Sequence, residues 1–157
     1  MKKIIFTATA VLAFVFSNAQ DAKFGAKGGL DLVSISGGGG STTGFTIGGF
    51  AEFNLSDKVV LQPGLNYHTA TQDNMSWNFI SIPVIAKFNV ADKINLLAGP
   101  SLFYNLESEA TDKTTFNLDF GASYDINDHL FIEPRYSAGL TGDFKANHFI
   151  FGLGYKF

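Results

Sequence analysis

From residue 23 to the C-terminus, apolar and polar side chains alternate with a period of two. In the last stretch Phe149, Phe151, Leu153, Tyr155 and Phe157 fall on one face, and His148, Ile150, Gly152, Gly154 and Lys156 on the other. The same holds for Phe116, Leu118, Phe120, Ala122 and Tyr124 against Asn117, Asp119, Gly121, Ser123 and Asp125. Period two is the signature of a strand whose two faces meet different surroundings. Residues 76–90 are less regular, because Trp77 and Phe79 share the polar parity.

Punctuation repeats too. Asn54-Leu55-Ser56-Asp57-Lys58-Val59, Asn89-Val90-Ala91-Asp92-Lys93-Ile94 and Asp125-Ile126-Asn127-Asp128-His129-Leu130 share one pattern, and their Asp residues lie 35 and 36 positions apart (92 − 57 and 128 − 92). Asp in a tight turn accepts a hydrogen bond from the backbone two residues on, which suits a hairpin. Four longer polar stretches, 36–43, 70–75, 107–113 and 141–147, alternate with these turns. Seven connections join eight strands, expected near 23–35, 44–55, 59–69, 76–90, 94–106, 114–126, 130–140 and 147–157. The predicted fold is all-β, an eight-stranded antiparallel up-and-down barrel.

Charge decides which face is outside. The 157-residue chain is only 16% charged and 15% aromatic, against about 25% charged in soluble domains. Eight charged residues fall mid-strand on the polar face: Lys27, Asp31, Glu52, Lys87, Asp119, Glu133, Arg135 and Lys156, four of each sign. A soluble exterior carries a dense mixture of Lys and Glu. A balanced set among Gly, Ser and Asn suits a crowded lumen in which each ion needs a partner. Aromatics collect toward the strand ends, Phe24, Phe53, Phe88, Tyr124 and Tyr155 at one rim and Phe45, Tyr67, Tyr104, Phe116 and Phe149 at the other, as in the two girdles of a membrane barrel. The apolar face is therefore expected to meet lipid, and the eighth strand must pair with the first, since an unpaired edge is not tolerated there. Eight strands enclose a space that side chains fill, whereas a water-filled porin needs about sixteen.

The N-terminal segment reads as an address. Lys2 and Lys3 precede a thirteen-residue apolar run, 4–16, followed by Ser17-Asn18-Ala19. This is the pattern of a secretory signal peptide, and the run is shorter than the roughly twenty residues of a spanning helix. Cleavage is expected after Ala19, dividing the chain into a signal peptide, 1–19, and a barrel domain, 20–157.

Candidate chemistry is sparse. The chain has no Cys, hence no disulfide, thiolate metal site or cysteine nucleophile. A net charge of −3 gives no reason to expect a nucleic-acid partner. His68, with Asp73 and Ser76 nearby and His148 near the same rim, invites comparison with barrel enzymes that modify lipid A. The deacylase pattern of His followed two residues later by Ser is absent, and these residues read as polar rim positions. The three His are spread along the chain and argue for no metal site. Gly37 to Gly40 followed by Ser41-Thr42-Thr43 reads as a flexible loop, without the Lys and helix of a phosphate cradle. Glu107, Glu109 and Asp112 make the third long loop acidic, which reads as a solvated loop before a weak cation site. Glu133 and Arg135, with Glu52 and Lys87 of like parity, read as part of a lumen network that sets strand register, with an ion gate as the functional alternative. No cofactor is expected.

Several motifs carry a resemblance: Ser81-Ile82-Pro83-Val84-Ile85-Ala86-Lys87, Leu97-Ala98-Gly99-Pro100, Arg135-Tyr136-Ser137-Ala138-Gly139-Leu140 and the ending Gly152-Leu153-Gly154-Tyr155-Lys156-Phe157. In these the chain resembles the small outer-membrane β-barrel proteins of the Bacteroidetes type, a group that includes PorT-like proteins and shares its architecture with the OmpA and OmpX membrane domains. The resemblance implies residence in a Gram-negative outer membrane as a monomer in contact with lipid and lipopolysaccharide. It also implies that Leu153, Tyr155 and Phe157 serve as the signal read by the barrel assembly machinery. The expected role is non-enzymatic, structural or in surface interaction. A narrow ion or small-solute channel is the main alternative, followed by a lipid A-modifying enzyme and a soluble periplasmic barrel binding an apolar ligand.

Overall fold

The computed structural model describes residues 22–35, 40–72, 75–107, 113–141 and 145–157. The expected signal peptide, 1–19, lies outside the described residues, as do Gly37 to Gly39, Asp73, Glu109 and Asp112. Eight strands follow in order: β1 (Lys23–Ile35), β2 (Ser41–Ser56), β3 (Val59–Gln72), β4 (Met75–Ala91), β5 (Ile94–Asn105), β6 (Thr114–Asp125), β7 (Leu130–Gly139) and β8 (Ala146–Lys156). Each pairs antiparallel with the next, and β8 pairs with β1 from Gly25↔Lys156 to Ile35↔Ala146, closing the barrel. The expected strands are all present. β2, β3 and β4 run one to three residues further into the long loops, so Ser41, Thr42 and Thr43 are strand and not loop.

The faces fall as alternation requires. Phe24, Phe45, Ile47, Leu65 and Leu153 are 60%, 63%, 67%, 58% and 52% exposed. A barrel with this exterior has its apolar surface outside, which is the opposite of a soluble barrel with an apolar cavity. Nine of the ten rim aromatics are exposed; Phe53 is instead buried, at 8%, just before a register shift between Asn54 and Ser56.

The tight turns correct one expectation. The repeated Asp does not close them. In the third turn the Asn127 carboxamide oxygen accepts from the backbone N–H groups of His129 (2.9 Å) and Leu130 (2.8 Å), and in the first the Ser56 hydroxyl accepts from Lys58 N–H at 3.4 Å. The side chain that reaches two residues on is the one before the Asp, leaving Asp57 and Asp128 exposed. In the second turn the Asn89 side-chain amide donates to the Ala91 carbonyl at 3.2 Å, and Lys93 takes φ 65° in the left-handed region.

The interior is less polar than the sequence reading implies. Phe50, Phe103, Phe131, Ile85, Leu97 and Ile150 are buried among the polar groups. Phe50 and Phe131 meet edge to face, ring centroids 5.6 Å apart. Each lies over a glycine of the closing seam, Phe50 over Gly25 and Phe131 over Gly154, where a Cβ would overlap the ring. These glycines admit the two largest side chains of the lumen's turn end, a close approach that no other residue permits.

Candidate functional site

The lumen holds the chemistry, and it builds up in layers from the short-turn end. β8 and β6 bring Lys156 Nζ to 2.7 Å from Asp125 Oδ1, with Asn95 donating to Asp125 Oδ2 at 3.0 Å. β4 and β2 bring Lys87 Nζ to 2.6 Å from Glu52 Oε1. Gln62 of β3 donates to the same Glu52 oxygen (2.9 Å) and accepts from Lys27 of β1 at 3.2 Å. Lys27 also reaches over β8 to Glu133 Oε1 of β7 at 2.8 Å. The lysines lie over the aromatic pair: Lys87 and Lys156 are 5.0 and 5.4 Å from the Phe131 centroid, and Lys27 is 5.7 Å from that of Phe50. At such distances the ring faces add attraction to the ion pairs. Arg135 is held more loosely. Its Nη1 lies 3.6 Å from Asp119 Oδ2 and 3.8 Å from Glu133 Oε1, while Ser101 donates to Asp119 Oδ1 at 2.8 Å.

All eight residues expected on the lumen face are there. Lys27, Glu52, Lys87, Asp119, Glu133 and Arg135 belong to one chain of contacts, and Lys156 pairs with Asp125, which shares the polar parity at the end of β6. The eighth, Asp31, stands in a separate cluster nearer the long loops. Asp31 Oδ2 lies 2.8 Å from His68 Nδ1 and 3.0 Å from His148 Nδ1, and its Oδ1 lies 3.1 Å from His148 Nδ1. His68 Nε2 is 2.8 Å from the Ser81 hydroxyl, which also accepts from Asn66 at 3.1 Å. The His148 ring stacks on Phe103 at 4.6 Å. Asp31, His68, Ser81 and His148 are each 1% exposed.

This cluster overturns the reading of the two His as scattered rim residues. β3 extends past His68 to Gln72, so His68 is a full turn of pleat below the strand end, and closure of β8 on β1 sets His148 beside Asp31 although 117 residues separate them. His129, in the third tight turn, stays apart, stacked on Tyr155 with Nδ1 2.8 Å from the Lys156 carbonyl. The signal was present as parity: Asp31, His68 and His148 all fall on the polar face toward the long loops. What parity lacked was their common height across the lumen.

Ser81, His68 and Asp31 are also in the contact order of a hydrolytic triad, which the sequence reading sought instead with Asp73 and Ser76. A nucleophile must reach a substrate and an oxyanion needs free donors. Ser81 is 1% exposed inside a closed ladder whose strand N–H groups are committed to their neighbours, so the contact order here is a buried hydrogen-bond chain.

Comparison with known proteins places this geometry. No curated protein matches the chain by sequence. Among solved structures, Ail, the attachment invasion locus protein of Yersinia pestis, aligns with a TM-score of 0.61 and 15% identity, over 87% of this chain and 97% of that one. Neisserial surface protein A aligns with a TM-score of 0.62 and 17% identity, over 88% and 100%. The N-terminal β-barrel domain of Pseudomonas aeruginosa OprF aligns with a TM-score of 0.54 and 16% identity, over 87% and 100%. At these identities the likeness is one of fold. Residues 5–157 match the outer membrane protein beta-barrel domain family, and with a closed eight-stranded barrel, apolar outside and ionic within, the chain belongs to that family.

Proposed function

We propose that this is a monomeric barrel of the Gram-negative outer membrane, exported by its first nineteen residues, whose role is non-enzymatic: support of the envelope or interaction at the cell surface. The carrying observation is the filled lumen, crossed by ion pairs at 2.6–2.8 Å and packed by Phe50 against Phe131. A plugged eight-stranded barrel offers rigidity and a platform for loops in place of a conduit. Lipid and lipopolysaccharide cover its apolar belt, and the assembly machinery reads Leu153 and Tyr155, on the exposed face of the last strand, with the exposed Phe157 directly after it. The motifs around Ser81, Leu97, Arg135 and Gly152 support the finer likeness to barrels of the Bacteroidetes type.

One observation favours a narrow channel as the second reading. The Arg135 contacts, at 3.6 and 3.8 Å, are longer than the other ion pairs and are the place where the lumen can rearrange. Planar-bilayer recording on the refolded chain separates the two. The structural reading expects no steady conductance from the wild type, and expects Glu133→Ala or Arg135→Ala to lower stability by about 3–5 kcal/mol, because a buried charge loses its partner. Conductance that changes in these variants with little loss of stability establishes the channel instead.

A further inference from the structure

A charge count inside the lumen singles out one carboxylate. Lys27, Lys87 and Lys156 pair with Glu133, Glu52 and Asp125, and Arg135 lies nearest Asp119. Asp31 remains. Among the described residues the polar groups that touch it are two imidazoles, which carry no obligatory charge. A buried carboxylate 1% exposed requires a positive partner. We propose that Asp31, His68 and His148 form a zinc site, with three protein ligands, near the long-loop end of the lumen.

The donor set and its spacing carry the proposal. Two imidazole nitrogens and one carboxylate are the ligand types zinc takes, and three protein ligands with one position left open is a recurrent zinc arrangement. The three ligand atoms lie within 4.8 Å of one another, with the nitrogens 2.8 and 3.0 Å from Asp31 Oδ2. Ligands about 2.0–2.1 Å from a tetrahedral zinc stand roughly 3.3 Å apart, so the Asp31–nitrogen distances open by a few tenths of an ångström and the two imidazole nitrogens close by at most about 1.5 Å to make a coordination shell. Both His present Nδ1 to the same point. A hydrolytic triad needs one imidazole on its carboxylate; a second, aimed by the same nitrogen, serves a cation.

The surroundings agree. When His68 Nδ1 gives its lone pair to a metal, its proton sits on Nε2, 2.8 Å from the Ser81 hydroxyl oxygen. Orientation of a metal-bound His by a partner on its other nitrogen is the usual supporting arrangement. Phe103, stacked on the His148 ring, holds the second imidazole. The ligands come from β1, β3 and β8, so the ion would tie the closing seam to a third strand. Hard cations such as magnesium and calcium, which prefer all-oxygen shells, fit this set poorly.

The test uses the full processed barrel refolded in detergent micelles, with folding verified by its mobility shift on boiling. Zinc titration by calorimetry should give one ion per chain, and cobalt in its place should give the visible bands of a low-coordinate nitrogen–oxygen site. Zinc should raise the temperature of the mobility shift, and EDTA should reverse the rise. Asp31→Asn, His68→Gln and His148→Gln should each abolish the cobalt bands. His129→Gln should leave them unchanged. Ser81→Ala, which keeps all three ligands and guards against ligand variants that do not fold, should weaken zinc binding about 10–100-fold. A folded wild-type barrel that takes up no zinc at micromolar free metal overturns the site. So does zinc binding that persists in Ser81→Ala at full strength and is lost in His129→Gln. Neither outcome touches the reading of the chain as a filled outer-membrane barrel, which rests on the ion pairs below this cluster.

Discussion

Single residues in this barrel answer to the space across the lumen more than to their chain neighbours. Gly154 is the sharpest case, since the Phe131 ring occupies the place its Cβ would take. Overpacking of this kind costs about 1–3 kcal/mol, so Gly154→Ala should lower the unfolding free energy by that amount in denaturant titrations of the refolded barrel. Adding Phe131→Leu should recover part of the loss by vacating the ring's far edge. If the cost were backbone strain in β8 instead, the second substitution would not help. Phe131 escaped the sequence reading because it is the second residue of its strand, next to a turn, where parity is hardest to anchor. Phe50 shares the parity of the lumen residue Glu52, but nothing local says that a Phe there faces a glycine on the neighbouring strand and not another large side chain.

For a whole strand, alternation gives the outward face a gradient that lipid imposes. Leu65 stands at the middle of β3 and is 58% exposed, while Phe24 stands near the end of β1 and is 60% exposed. In a bilayer these equal exposures are unequal environments. Leu65→Arg should cost about 2–4 kcal/mol when unfolding is measured from vesicles, and Phe24→Arg about 0–1 kcal/mol. In water the two substitutions would differ little, so a common small effect would contradict a lipid-facing surface. The strands themselves were legible almost to the residue because three turns of one pattern recur at 35- and 36-residue spacing. Their ends on the long-loop side were not, since β2, β3 and β4 continue pairing through Ser, Thr and Gln that read as loop. Polar residues can extend a ladder when the neighbouring strand is already in place, and that support is invisible in composition.

At the scale of the molecule, an apolar belt outside and paired ions inside demand a membrane. The full chain expressed in a Gram-negative host should lose residues 1–19, fractionate with the outer membrane and run at a different mobility before and after boiling. N-terminal sequencing should begin at Gln20. A product in the periplasmic fraction without a mobility shift would contradict both the location and the inserted state. The network also makes the barrel interior cooperative: Gln62 joins the Lys87–Glu52 pair to the Lys27–Glu133 pair, so β1, β2, β3, β4 and β7 share one set of polar contacts.

The sequence by itself determined the number of strands, their order, where the tight turns fall and the side on which most residues stand. These are consequences of a two-residue pleat and of turn residues that act within a few positions, and both are local. Only the tertiary structure decided who meets whom inside. Lys27 finds Glu133 across 106 positions and His148 finds Asp31 across 117, because the stagger of strands on closing the barrel sets heights that no single strand encodes. The face of Asp31, His68 and His148 could be read from parity. Their convergence on one point depended on β8 pairing with β1 in one particular register, and that register is a property of the closed sheet.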